Sequence, residues 1–280
     1  MTITFYDVEH GSCCHILTPN GKHILVDVGS KTDSSIVRHL NSRYFGGRGG
    51  AIDALIITHP HEDHIYDLPT LRNVLSPRVL WHPRGAFDIK PSNDAPLHVA
   101  IAMSANEMHK SYNQPVDASA NPFSDLVNGG VNFKMIIPKD EWTTKDDLNT
   151  FSSIIVVTYQ GYKFVLTGDN PAPILKEMVR INYQGIKDVI RDANVLLAPH
   201  HGRTKEFCQE FFDCVNPMLT IVSDKGIEHL TQEETAQCYK GRGARIDGEM
   251  RYVLTTRNDG TISFNIALGI CNVDMSKEEY

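Results

Sequence analysis

The residues Thr58-His59-Pro60-His61-Glu62-Asp63-His64 decide the reading of this chain. They follow an apolar run at residues 54–57, as expected of a strand buried on both faces. Three histidines and one aspartate within the six positions from His59 to His64 supply ligands suited to Zn²⁺, Mn²⁺ or Fe²⁺. His59 and His61 are two residues apart, so in extended backbone they point to the same side. Asp63 and His64 come after the chain has turned and address a second position. Such a cluster at the carboxyl end of a strand predicts a binuclear metal site.

Upstream, residues 3–8, 13–17 and 23–28 are short apolar or alternating runs, separated by Gly11 and by Pro19-Asn20-Gly21. This pattern predicts strands joined by turns. Residues 34–44 place Ile36, Val37 and Leu40 at helical spacing, with Ser34 as the expected cap. Downstream, residues 68–75 read as a short helix and 78–81 as a strand. The stretch of about 84–130 holds Pro91, Pro96, Pro115, Pro122 and Gly129-Gly130 around a helical segment at 97–112. It reads as an insertion that covers the site. Strands resume at 131–137, 153–159 and 162–167, the last two joined at Gln160-Gly161. Helices at 173–181, 204–214 and 231–239 then alternate with strands at 195–198 and 219–223. A final hairpin, 252–256 with 261–266, is expected to turn at Asn258-Asp259-Gly260, and the tail from Asn272 to fray. Two β-rich halves with helices between them predict an α/β fold, a two-sheet sandwich clad in helices, forming one domain over residues 1–280.

Composition bounds the partners. With 41% hydrophobic and 22% charged residues the chain can bury a full core, which excludes disorder and disulfide scaffolds. The 27 basic against 34 acidic residues give a net charge of −7, so no broad basic surface for nucleic acid is expected. Local clusters remain at Lys240, Arg242 and Arg245, and at Arg203 and Lys205. Six cysteines form no CxxC pair, the pattern of idle thiols in a reducing compartment. No apolar run approaches the roughly 20 residues of a membrane span. With no signal-peptide pattern at the start either, the expected location is cytoplasmic, without membrane contact. The unusual number is the 13 histidines, several of them close together.

The pattern His-x-His-x-Asp-His after an apolar strand resembles the signature of the metallo-β-lactamase fold hydrolases, whose fold is a four-layer αββα sandwich. Leu25-Val26-Asp27-Val28-Gly29 resembles their first motif, in which the Asp braces a ligand loop. Thr167-Gly168-Asp169 resembles the motif whose Asp bridges two metals, and Pro199-His200-His201-Gly202 the last ligand motif. More narrowly, Asp7-Val8-Glu9-His10-Gly11-Ser12, Asn149-Thr150-Phe151-Ser152 and His200-His201-Gly202 resemble segments of the ComEC-type DNA-uptake competence proteins, without their membrane channel. Glu9-His10 stands in place of Gly-Gln, and Arg203 in place of Ser.

The resemblance implies a divalent metal cofactor, two zinc or manganese ions. Their expected ligands are His59, His61, Asp63, His64, Asp169 and His200, with His201 the alternative to His200. Asp63, His201 and His229 take the catalytic roles. Asp7, Asp27, Asn149, Ser152 and Arg203 support ligands or substrate, and His10 is a further candidate. Many members have a histidine just before the strand leading to Thr-Gly-Asp; here no histidine lies between His109 and His200. One position is therefore expected to be weakly held, or manganese preferred. The implied function is a phosphodiesterase or nuclease that cleaves DNA, RNA or a small cyclic nucleotide with a metal-bound hydroxide. The alternatives are a hydrolase of lactone, thioester or β-lactam bonds, and a non-catalytic metal- or nucleotide-binding module.

Overall fold

Strands account for most of the expected apolar runs. The computed structural model describes residues 1–225 and 231–277. Its strands are β1 (Thr2–Phe5), β2 (Cys14–Leu17), β3 (His23–Val26), β4 (Gly50–Ile56), β5 (Leu75–Trp81), β6 (Asn132–Ile136), β7 (Ile154–Tyr159), β8 (Tyr162–Leu166), β9 (Val195–Leu197), β10 (Leu219–Val222), β11 (Ala244–Ile246), β12 (Glu249–Arg251), β13 (Val253–Thr255), β14 (Thr261–Ala267) and β15 (Ile270–Ser276). They form a seven-stranded sheet in the order β15-β14-β1-β2-β3-β4-β5, a six-stranded sheet in the order β13-β10-β9-β8-β7-β6, and the pair β11-β12.

Alternation along the strands sorts the apolar side chains into layers. Ile24, Val26, Ala54 and Ile56 of the first sheet face Phe164, Leu166, Val195 and Leu197 of the second in one inner layer. Leu25 and Leu55 point the other way, under the helices Ile36–Phe45, Leu68–Val74 and Pro96–Ser111. Val165 and Leu196 point outward under Ala172–Arg180, Ile186–Ile190 and Gln209–Val215. The result is the expected four-layer αββα sandwich. Each fully buried Leu or Ile contributes about 1.5–3 kcal/mol, so the sheet faces hold the layers more firmly than local propensity does.

The sheets also set the place of the site. Strands β3, β4 and β5 run parallel, as do β8, β9, β10 and β13. Their carboxyl ends line up, with Val26 beside Ile56 and Trp81, and Leu166 beside Leu197 and Ile221. The loops leaving these ends carry Asp27, residues 58–64, Asp169 and residues 199–202. Carboxyl ends of parallel strands are where α/β sheets gather ligand groups.

Several local expectations change. Ser35, not Ser34, caps the helix Ile36–Phe45, its Oγ accepting from the Arg38 N–H. Residues 204–214 are not one helix but a short 3₁₀ turn, Thr204–Glu206, and the helix Gln209–Val215. The expected hairpin around Asn258-Asp259-Gly260 does not form. β13 pairs parallel with β10 in the second sheet and β14 antiparallel with β1 in the first. The short helix Thr256–Asp259 carries the chain across. The tail does not fray from Asn272, because β15 pairs with β14 along its length. Leu268 and Gly269, both at positive φ, make that turn, and Asp247-Gly248 does the same between β11 and β12. The segment expected as an insertion packs Ile101, Ala105 and Met108 on the outer face of the first sheet. It also reaches the loop after β4: the Ser92 N–H and His98 Nδ1 both meet the Glu62 carboxylate. Among the described residues no helix is long and apolar enough to cross a membrane.

Candidate metal centre

Four side chains from three strand ends converge. Asp63, His64, Asp169 and His201 present ligand atoms that all lie within 4.8 Å of one another. His201 Nε2 lies 3.0 Å from Asp63 Oδ2, and His64 Nε2 lies 3.1 Å from Asp169 Oδ1. Two further imidazoles approach Asp169 Oδ2, His59 at 3.9 Å and His200 at 3.8 Å. His61 is half-buried, its ring 4.9 Å from that of His59. Of the two histidines left open by the sequence, His201 is therefore the one that enters the tight group.

The backbone is shaped to deliver these groups. Asp27 ends β3 in left-handed conformation and receives the Thr58 N–H and the Thr58 hydroxyl, both at 2.8 Å. It also holds His64 Nδ1 at 2.7 Å, which leaves Nε2 free to face the centre. Asp63 is seated by close backbone packing. The Ser12 N–H donates to the Asp63 carbonyl, and a Cβ at Gly29 would stand 2.3 Å from that oxygen. His200, His201 and Gly202 are all left-handed, an arrangement that a residue with a Cβ adopts only when its surroundings impose it.

The electrostatics follow from carboxylates and imidazoles sharing one buried space. Burial works against charge on His64, but Asp169, Asp27 and Asp63 outweigh it and raise its pKa well above the ordinary value. The same balance raises His201. Burial likewise opposes ionisation of Asp63 and Asp169, yet His64 and His201 hold both carboxyls below the usual range. His59 goes the other way: burial, then its neighbour His64, lowers it well below the ordinary value.

The residues present fit a divalent ion. His59 Nε2 is buried without a hydrogen-bond partner, a costly state for a polar atom unless a cation accepts its lone pair. Imidazole and carboxylate donors are the set that zinc and manganese take.

The other expected site residues are placed as follows. Ser152 Oγ receives the Asp169 N–H at 3.1 Å, and the Arg203 N–H donates to the His200 carbonyl. Asp7 meets Lys31 at 3.4 Å and accepts from the Glu9 N–H, bracing the loop before Gly11. Asn149 turns a buried Oδ1 that has no hydrogen-bond partner. His229 lies outside the described residues. The sequence reading missed Thr58, Glu206 and Ser223. The Ser223 carbonyl faces His201 Nδ1 at 2.9 Å, and its hydroxyl donates to Gly11 O. A backbone carbonyl carries no sequence signal, whereas Ser223 does stand at a strand end like the other site loops.

Comparison with known proteins places the fold. The model of the metallo-beta-lactamase superfamily matches residues 9–181, more than half of the chain. A stretch of 80 residues is 36% identical to a UPF0173 metal-dependent hydrolase of Roseiflexus sp. (strain RS-1), spanning 29% of this chain and 30% of that curated relative. The fold is similar to that of Tm1679, a metal-dependent hydrolase of the beta-lactamase superfamily, with a TM-score of 0.51 and 15% identity over 95% of this chain and 99% of that one. It is also similar to that of Zn²⁺-bound PqqB from Methylobacterium extorquens, with a TM-score of 0.50 and 11% identity over 95% of this chain and 100% of that one. The convergent Asp and His loops sit on a matching fold, and the chain belongs to the metallo-beta-lactamase superfamily.

Proposed function

We propose that the protein is a metal-dependent hydrolase of phosphodiester bonds, acting on DNA, RNA or a small nucleotide. Asp63, His64, Asp169 and His201 hold one divalent ion, zinc or manganese, and His59 and His61 offer donors to a second. A divalent ion there supplies Lewis acidity, which makes water a nucleophile near neutral pH and draws charge from phosphate oxygens.

The observation that carries the reading is the rim of the centre. His10 stands 3.7 Å from Asp63 Oδ2, its ring 4.6 Å from that of His201, with 46% of its side chain exposed. Arg203 adds positive charge close by: after burial, its guanidinium is among the groups that lower the basicity of both His10 and His200. Imidazole and guanidinium donors around the opening suit the anionic oxygens of a phosphodiester better than a neutral thioester or lactone. Asp63 Oδ2 orients the attacking water and accepts its proton, while His10 Nε2 and the Arg203 guanidinium bind phosphate oxygens. The likeness of residues 7–12, 149–152 and 200–202 to ComEC-type proteins supports the same bond class.

The test pairs metal analysis with turnover on bis(p-nitrophenyl) phosphate, linear DNA, RNA and cyclic nucleotides, beside thioester and lactone probes. Cleavage of a phosphodiester that is lost in His64→Ala and has a raised KM in Arg203→Ala is expected. Turnover of the thioester or lactone without any phosphodiester cleavage would overturn the assignment.

A further inference from the structure

His59 Nε2 and His200 Nδ1 are buried ring nitrogens of the centre, each near a carboxylate and without a hydrogen-bond partner, and no histidine between His109 and His200 is available to accompany His59. His59 Nε2 and His200 Nε2 lie 3.9 and 3.8 Å from the same oxygen, Asp169 Oδ2. Both separations are too long for hydrogen bonds. They suit donors that share a cation. With bonds of about 2.1 Å, nitrogen and oxygen stand about 3.4 Å apart at a tetrahedral angle and about 4.2 Å apart at most.

The ring of His200 is set in the same sense as those of the other candidate ligands. His64 turns Nε2 to Asp169 and Nδ1 to Asp27; His201 turns Nε2 to Asp63 and Nδ1 to the Ser223 carbonyl. His200 turns Nε2 to Asp169, while its buried Nδ1 makes no hydrogen bond and faces the Glu206 carboxylate at an ion-pair separation of 3.9 Å. Outer carboxylate and carbonyl groups orient metal-binding imidazoles, by hydrogen bonds at His64 and His201 and here by charge alone. The backbone serves the same end. Consecutive side chains of an extended chain point to opposite faces. The left-handed turn at His200 (φ 49°) and His201 (φ 55°) instead brings both Nε2 atoms to one carboxylate oxygen, at 3.8 and 3.5 Å.

We propose that the consecutive histidines serve two cation positions, His201 with Asp63, His64 and Asp169, and His200 with His59, His61 and Asp169. His200 replaces the donor that the sequence lacks upstream, so the second position is complete rather than weak. Glu206 is a positioning residue for His200. The inference rests on the metal-dependent reading above and assigns this chain's own residues within it.

The test is Mn²⁺ and Co²⁺ binding to the full chain, by equilibrium dialysis with metal analysis and by calorimetry. The parent is expected to hold two ions. His200→Ala and His200→Gln are each expected to lose one and keep the other, while Glu206→Gln weakens the second ion by about 10–100-fold. Circular dichroism of the metal-free variants checks the fold, and the Gln variant covers a folding failure of the Ala variant. Two ions retained by a folded His200 variant would overturn the assignment of His200 and leave the metal-dependent reading standing. A parent holding a single ion would do the same, and a parent holding none would overturn both.

Discussion

Two histidines are almost equally buried in the same half of the molecule and behave in opposite ways. His15, on β2, is 2% exposed; its Nε2 meets His23 Nδ1 at 3.1 Å and its ring packs on Tyr44. Burial, aided by His23 and Arg43, brings its pKa down to about 3. His64 is 1% exposed, but Asp169, Asp27 and Asp63 surround it and raise its pKa against the same burial. Burial alone keeps an imidazole neutral, whereas converging carboxylates favour its charged form. The 13 histidines therefore divide by their neighbours, and their count by itself says little.

The contrast can be broken from the carboxylate side with the largest effect. Asp169→Ala removes the oxygens that His59, His64, His200 and His201 share. It is expected to abolish metal retention and to lower turnover by at least about 10³-fold, a loss that metal analysis with steady-state kinetics reads directly. Removing the outer brace is milder. Asp27→Ala frees His64 Nδ1 and Thr58, and calorimetry is expected to show metal affinity reduced about 10–100-fold. Gly29→Ala attacks the seat of Asp63, where the added Cβ would stand 2.3 Å from Asp63 O and 2.8 Å from Ser12 N. A cost of about 1–3 kcal/mol in urea unfolding is expected.

His15 sharpens the other side of the comparison. Its folded pKa of about 3 lies below the ordinary 6.5, so between these values the unfolded chain binds more protons. The stability held above pH 6.5 is lost as pH falls through 6.5 toward 3. At pH of about 5 the loss from this group is about 2 kcal/mol. His15→Gln is expected to flatten the fall in unfolding free energy between neutral pH and pH of about 5 by that amount. An unchanged slope would place the acid sensitivity elsewhere.

Much of the site was legible because its groups follow strands directly. Residues 58–64 and Asp27 and Asp169 each stand at the end of a short apolar run, and strand ends are local features of sequence. The crossing at Thr256–Asp259 was not legible. Asn258-Asp259-Gly260 signals a turn, and a turn signal carries no information on which sheet the next strand joins. The β11–β12 turn at Asp247-Gly248 carried a hairpin signal but sits between runs of only three residues, too short for alternation to show.

The sequence by itself determined the donors, their order and the strands that present them, because side-chain chemistry and period-two alternation are properties of neighbouring residues. Only the tertiary structure separated His201 from His200. Adjacent, identical in type and both left-handed, they are distinguished by a contact between His201 and Asp63 across 138 residues of chain. It likewise decided that His15 loses basicity and His64 gains it, since that difference lies in which carboxylates the folded sheets bring to each ring.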